Sequence, residues 1–156
     1  MRSRGGRLRV LLDTSFLLPT LGIALGRRDS LVRECLLKLS QVGAEIYFSR
    51  YSLLEATWLA ARLARRGAFD PDAYAMGLES ITRSGRYRQV SERTEAYLLA
   101  IRLYELGHRD MIDNLLYASS RQLGLRLLTL DEELRAFIQS RGLEDTLMFP
   151  EELLKL

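Results

Sequence analysis

The sequence predicts an α/β fold of three layers, with helices on both faces of a central, mostly parallel sheet. Three observations predict it. Short apolar runs with strand character alternate with amphipathic helical stretches along the whole chain. Glycines stand just beyond most of the helical stretches, where a left-handed residue ends a helix. Two of the apolar runs end in an aspartate, so two strands deliver a carboxylate to a sheet edge.

The elements follow in order. Arg9-Val10-Leu11-Leu12 is a buried strand running into Asp13-Thr14-Ser15. Phe16 to Leu25 is an apolar loop entering a helix, broken at Pro19. A helix is expected from about Ser30 to Val42, with Leu31, Cys35, Leu36 and Leu39 on one face and Gly43 at its end. Glu45-Ile46-Tyr47-Phe48 is the second strand. Ser49 or Ser52 caps the next helix, Glu55 standing three residues after Ser52 as in a capping box, and Gly67 ends it after Arg66. Asp70-Pro71 opens a helix to about Ile81, with Asp at the cap and Pro at the first helical position. Gly67–Arg88 is read as a peripheral excursion. Tyr87 to Val90 is a short strand, and Ser91 caps a helix to about Leu106. A helix spans Asp110 to Leu123, closed by Gly124. Arg126 to Leu130 is a strand ending at Asp131, and a short helix follows to about Ser140. Thr146 to Phe149 is a last strand, and Pro150 begins a terminal turn.

The 156 residues fit one domain, with residues 1–7 small, basic and expected to be flexible. Apolar residues at 47% and charged residues at 28% are those of an ordinary globular domain that needs no disulfide. The single cysteine, Cys35, reads as a buried, inert thiol. No apolar run is long enough for a membrane span, and the first apolar stretch reads as a strand rather than a signal peptide. A cytoplasmic protein is expected. The net charge is +3, and lysine occurs only at Lys38 and Lys155, so the positive charge is almost all arginine. Arginine's planar fork suits phosphate; a thermophilic or GC-rich source explains the bias equally well.

The chemistry is carried by acids. Asp13 and Asp131 follow strands, and Glu55 and Asp113 stand early in helices. Parallel strands and the helices after them bring all four to one sheet edge. Such carboxylates repel unless they are protonated or neutralised by a cation. Hard oxygen ligands select Mg2+ or Mn2+ over zinc. Such an ion can position a water for in-line attack on a phosphodiester.

Four local matches, in order, resemble the PIN-domain ribonuclease family, VapC-like. Leu11-Leu12-Asp13-Thr14-Ser15-Phe16-Leu17-Leu18 is similar to its opening strand and first acid. Ser52-Leu53-Leu54-Glu55-Ala56 is similar to its second acid, and Asp113 with Ala118 five positions on to its third. Leu127 to Leu134, around Thr129 and Asp131, is similar to its late strand and Thr-x-Asp turn. The resemblance covers nearly the whole chain. It implies a Rossmann-like sheet and an Mg2+- or Mn2+-dependent endoribonuclease acting on RNA. It also implies relatives that are dimeric toxins of toxin–antitoxin pairs, so an antitoxin partner and a homodimer are expected; other relatives process ribosomal RNA. Asp110 shares a helix face with Asp113 and competes with it as ligand; the spacing to Ala118 favours Asp113.

Each residue also has a plainer reading. Asp13 can merely cap a turn, Glu55 can serve Ser52, and Asp113 can be a solvated helix residue. Asp131 can cap the helix at Glu132–Gln139. Thr14 and Ser15 can donate to Asp13 or to a water at the metal, or only to the backbone. His108, the only histidine, reads as structural rather than as a base. Trp58 reads as core or dimer interface. Arg62, Arg65 and Arg66 are candidate RNA contacts or simply a solvated helix end, and Arg83, Arg86 and Arg88 are the same at lower weight. A haloacid dehalogenase phosphatase is disfavoured because Ser15 stands where its second aspartate belongs. A dinucleotide-binding protein is disfavoured because no glycine-rich loop follows the first strand. An inactive PIN-fold scaffold or RNA-binding module remains as the alternative.

Overall fold

Strand β1 (Arg9–Leu12) lies at the middle of the sheet, and its three buried residues alternate between the two layers of helices. The computed structural model describes residues 5–156; the flexible start expected for residues 1–7 thus lies mostly outside the described residues. Within it, the Arg7 guanidinium donates to the Gly43 carbonyl.

The remaining strands are β2 (Glu45–Phe48), β3 (Tyr87–Gln89), β4 (Arg126–Leu128) and β5 (Leu147–Met148). Their order is β3-β2-β1-β4-β5, and every pairing is parallel, where the sequence led us to expect a mostly parallel sheet. The order reverses between β1 and β4. That switch point opens a crevice at the carboxyl ends of these two strands.

Helices α1 (Asp29–Gln41), α2 (Arg50–Arg65), α3 (Pro71–Arg83) and α7 (Pro150–Leu154) share one core with Val10, Leu12, Ile46, Phe48 and Leu128. Helices α4 (Thr94–Glu105), α5 (Met111–Leu123) and α6 (Glu132–Ser140) share the other with Leu11, Leu127 and Leu147. The side chains of one strand point alternately into the two cores, which makes the molecule three-layered. Cys35 is fully buried, and burial pushes its thiol up to about 11. Among the described residues no helix is long and apolar enough to cross a membrane.

Several local expectations change. Ser49 caps α2, its Oγ accepting from the Tyr51 N–H, so the Ser52–Glu55 capping box does not form. Ser49 is chosen because its hydroxyl also donates to Glu92 at 2.7 Å, a contact between distant parts of the chain. That contact ties Glu92 into an extended segment, so α4 starts at Thr94 after Arg93 and Ser91 is not its cap. Trp58 is 61% exposed and is not a core residue.

The 67–88 stretch is docked rather than peripheral along α3. Ile81 is fully buried, and a Cβ at Gly77 would stand 2.1 Å from the Thr20 carbonyl oxygen. Gly77→Ala gains about 1 kcal/mol of helix propensity. It must nonetheless push α3 off the backbone, and the net loss is expected to be about 2 kcal/mol. Denaturant titration measures this; a variant as stable as the wild type would refute the close contact.

Candidate active site

Asp13 follows β1 directly and lies at the switch point. Its backbone N–H donates to Leu128 at 3.0 Å, which extends the ladder between β1 and β4 by one step. Its carboxylate is held at both oxygens. The Thr14 N–H donates to Oδ1 at 2.7 Å, and the Thr129 hydroxyl, just past β4, donates to Oδ2 at 2.7 Å. Thr129 Oγ1 also accepts from the Asp131 N–H at 3.1 Å, so one hydroxyl links the first and last acids.

Asp131 caps α6, its Oδ1 accepting from Glu133 and Leu134. Asp110 caps α5 in the same way, accepting from the Asp113 N–H at 3.0 Å. Glu55 lies in the second turn of α2, free of capping duty. These elements converge on a cleft of about 460 Å³ lined by Asp13, Ser15, Arg28, Glu55, Asp113 and Asp131, with Asp110 also on its wall. All four sequence-predicted acids therefore meet, and Asp110 meets them. Asp113 is half-buried and Asp110 exposed.

The electrostatics are those of crowded acids. Burial first, then Glu55 and Asp131, push Asp13 up to about 6 against the opposing bonds from Thr129 and Thr14. Burial first, then Asp13 and Asp110, push Asp113 up to about 9. The Asp131 carboxyl, with an oxygen within 4.8 Å of one on Asp113, adds to this rise. Burial also raises Glu55, with Asp110 adding to it and Arg62 opposing. Thr14 Oγ1 acts on Glu55 too, yet makes no hydrogen bond of ordinary geometry. Among the described residues, none of the five acids forms an ion pair.

One residue of the site was not singled out from the sequence, and another, His108, was read there only as structural. Arg28 enters the cleft from the turn before α1, and nothing in its local sequence signals this. His108 brings a ring nitrogen within 4.8 Å of carboxylate oxygens of Asp113 and Asp131. Arg62 and Arg66 line a different, largely apolar groove with Leu59, Leu63 and Ile23, and of the two only Arg62 is near enough to Glu55 to oppose its rise. Arg83 and Arg88 are engaged with Glu79 and Glu45. Arg88 lies on β3, the edge strand farthest from β4, so these two are poorly placed to bind RNA at the cleft.

An all-parallel sheet with an acid-lined crevice at its switch point defines a small α/β protein with a polar site at the strand ends. A sequence model of the PIN domain matches residues 10–138, and the chain belongs to the PIN-domain family. It matches no curated protein in sequence. Its fold is similar to VapC20 of Mycobacterium tuberculosis, a sarcin-ricin loop cleaving toxin, with a TM-score of 0.59 at 20% identity over 81% of this chain and 93% of that one. It is similar to VapBC2 from Rickettsia felis, bound to a DNA fragment from their promoter, with a TM-score of 0.61 at 13% identity over 91% and 98%. FitAcB from Neisseria gonorrhoeae gives 0.57 at 15% identity over 91% and 98%. At these identities the likeness establishes the fold.

Proposed function

We propose that this chain acts as a single PIN domain with metal-dependent endoribonuclease activity, hydrolysing RNA phosphodiester bonds with Mg2+ or Mn2+. The observation that carries this reading is the set of unpaired carboxylates around one cleft. Burying and crowding them is costly unless a cation neutralises them. Their oxygens fit a hard divalent ion. Asp13, Glu55, Asp113 and Asp131 would hold it, directly or through water, with Asp110 beside them.

A bound divalent ion would supply charge neutralisation and a more acidic water. The chain's own residues do the rest. Thr129 and the Thr14 N–H fix both oxygens of Asp13, so its carboxylate needs no reorganisation. Ser15 lines the cleft as a hydroxyl donor. Arg28 lies where it can meet a scissile or adjacent phosphate, and Arg62, Arg65 and the C-cap Arg66 offer further charge at the C-terminal end of α2.

The toxins and toxin–antitoxin complexes that share the fold support a reading as a toxin with an antitoxin partner, and we place it in the cytoplasm. The exposed apolar side chains Leu54 and Trp58 on α2, with Leu98 and Ile101 on α4, are the surface we assign to a homodimer. An inactive scaffold has no use for clustered unpaired acids.

The test is incubation of purified protein with a structured and an unstructured RNA, in Mn2+ or in EDTA. Cleavage only with Mn2+ is expected. Absence of cleavage, together with no divalent binding by calorimetry, would favour the scaffold.

A further inference from the structure

His108 precedes α5 and is the only imidazole of the chain. Its ring is half-buried, 5.1 Å from the ring of Phe137 on α6. Asn114, fully buried, sets its tautomer. The Asn114 amide nitrogen donates to the His108 carbonyl at 2.7 Å and to the Ala100 carbonyl at 3.3 Å. Both partners only accept, so the amide oxygen must face His108 Nδ1, 2.7 Å away. An oxygen there accepts, so Nδ1 carries a proton and Nε2 is the nitrogen free to bind. Metal-binding histidines are held in this way, the second nitrogen donating to a carbonyl or carboxylate oxygen.

The surroundings fit the same role. A ring nitrogen, one Asp113 oxygen and one Asp131 oxygen all lie within 4.8 Å of one another. Among the described residues neither acid closes on the ring as an ion pair. Opposite ligands of one octahedral ion stand about 4.2 Å apart at about 2.1 Å per bond.

We propose that His108 is a nitrogen ligand of the ion in this cleft, beside Asp113 and Asp131, and turns the site from Mg2+ toward transition ions such as Mn2+ and Co2+. The inference rests on the metal-dependent reading above. Mg2+ keeps its waters and takes carboxylate oxygens, whereas imidazole nitrogen favours transition metals.

The full chain and His108→Gln are titrated with MnCl2, CoCl2 and MgCl2 by calorimetry, and electron spin-echo spectra of both Mn2+ complexes are recorded. The wild-type complex is expected to show imidazole nitrogen coupling, which the variant lacks. The variant's Mn2+ and Co2+ affinities are expected to fall about 10- to 100-fold. Its Mg2+ affinity should change by less than about threefold. Circular dichroism in EDTA checks that the variant folds; if it does not, the wild-type spectrum alone decides. A Mn2+ complex without nitrogen coupling, or equal losses for all three ions, overturns the assignment and leaves the nuclease reading standing. A wild type that binds none of the three ions overturns both.

Discussion

Replacing Asp13 by Asn is expected to abolish RNA cleavage and, at the same time, to raise the thermal midpoint of the metal-free protein. The two effects share one cause. Asp13 is 8% exposed, and burial holds its pKa at about 6. Keeping it ionised at pH 7.5 costs on the order of 2–3 kcal/mol, at about 1.4 kcal/mol per pKa unit. Asn removes that cost. It also places an amide where the Thr129 hydroxyl now donates to Oδ2, which returns about 1 kcal/mol. The net gain of about 1–2 kcal/mol corresponds to about 2–8 °C for a chain of this size. Cleavage should fall by about 10²–10³-fold or more, the effect of losing one electrostatic group at a reacting centre. Millimolar Mg2+ should raise the wild-type midpoint and leave the variant's nearly unchanged. Scanning calorimetry with a cleavage assay reads all three. An unstable variant would make Asp13 a structural residue, and an active one would remove it from the site.

Much of this site is legible in the sequence because its acids sit where local rules put them. An aspartate directly after an apolar strand, as Asp13 is, or separated from one by two residues, as Asp131 is, lies at a sheet edge wherever the strand pairs, so both could be placed before the pairing was known. Helix ends were readable for the same local reason: Gly124 ends α5 in the left-handed region, at φ 65°. What escaped depends on contacts between distant residues. Ser49 and Ser52 are equally good caps locally, and only Glu92, 43 residues away, separates them. The docking of α3 rests on Gly77 meeting Thr20, a packing fact with no periodic signature. His108 reads as a turn residue until Asn114 fixes its ring and α6 brings Asp131 beside it. Arg28 is one of many arginines and is marked only by where the turn before α1 points.

Divalent binding near neutral pH should release about one proton, and the metal-free protein should lose stability as the pH rises. The raised carboxyls Asp13, at about 6, and Asp113, at about 9, hold protons in the folded state that the unfolded chain has already lost. Their contribution to stability is therefore complete below about pH 4 and is lost progressively as the pH climbs through about 6 and then about 9. Glu55, also raised, acts in the same direction. An ion binds the ionised carboxylates and must displace what protons remain. At pH 7.5 Asp13 has mostly lost its proton, while Asp113, at about 9, still holds its own. Calorimetric titration with Mn2+ in buffers of differing ionisation enthalpy should give close to one proton released at pH 7.5 and more at pH 6. Affinity should climb up to tenfold per pH unit towards pH 9 while that proton remains to be displaced. The rise in midpoint produced by the ion should grow over the same interval, because the ion relieves the repulsion that ionisation creates. Asp113→Asn should remove most of the release at pH 7.5. Binding that releases no proton and ignores pH would mean that these carboxyls are ionised before the ion arrives, and that the crowding seen in the cleft does not hold their protons.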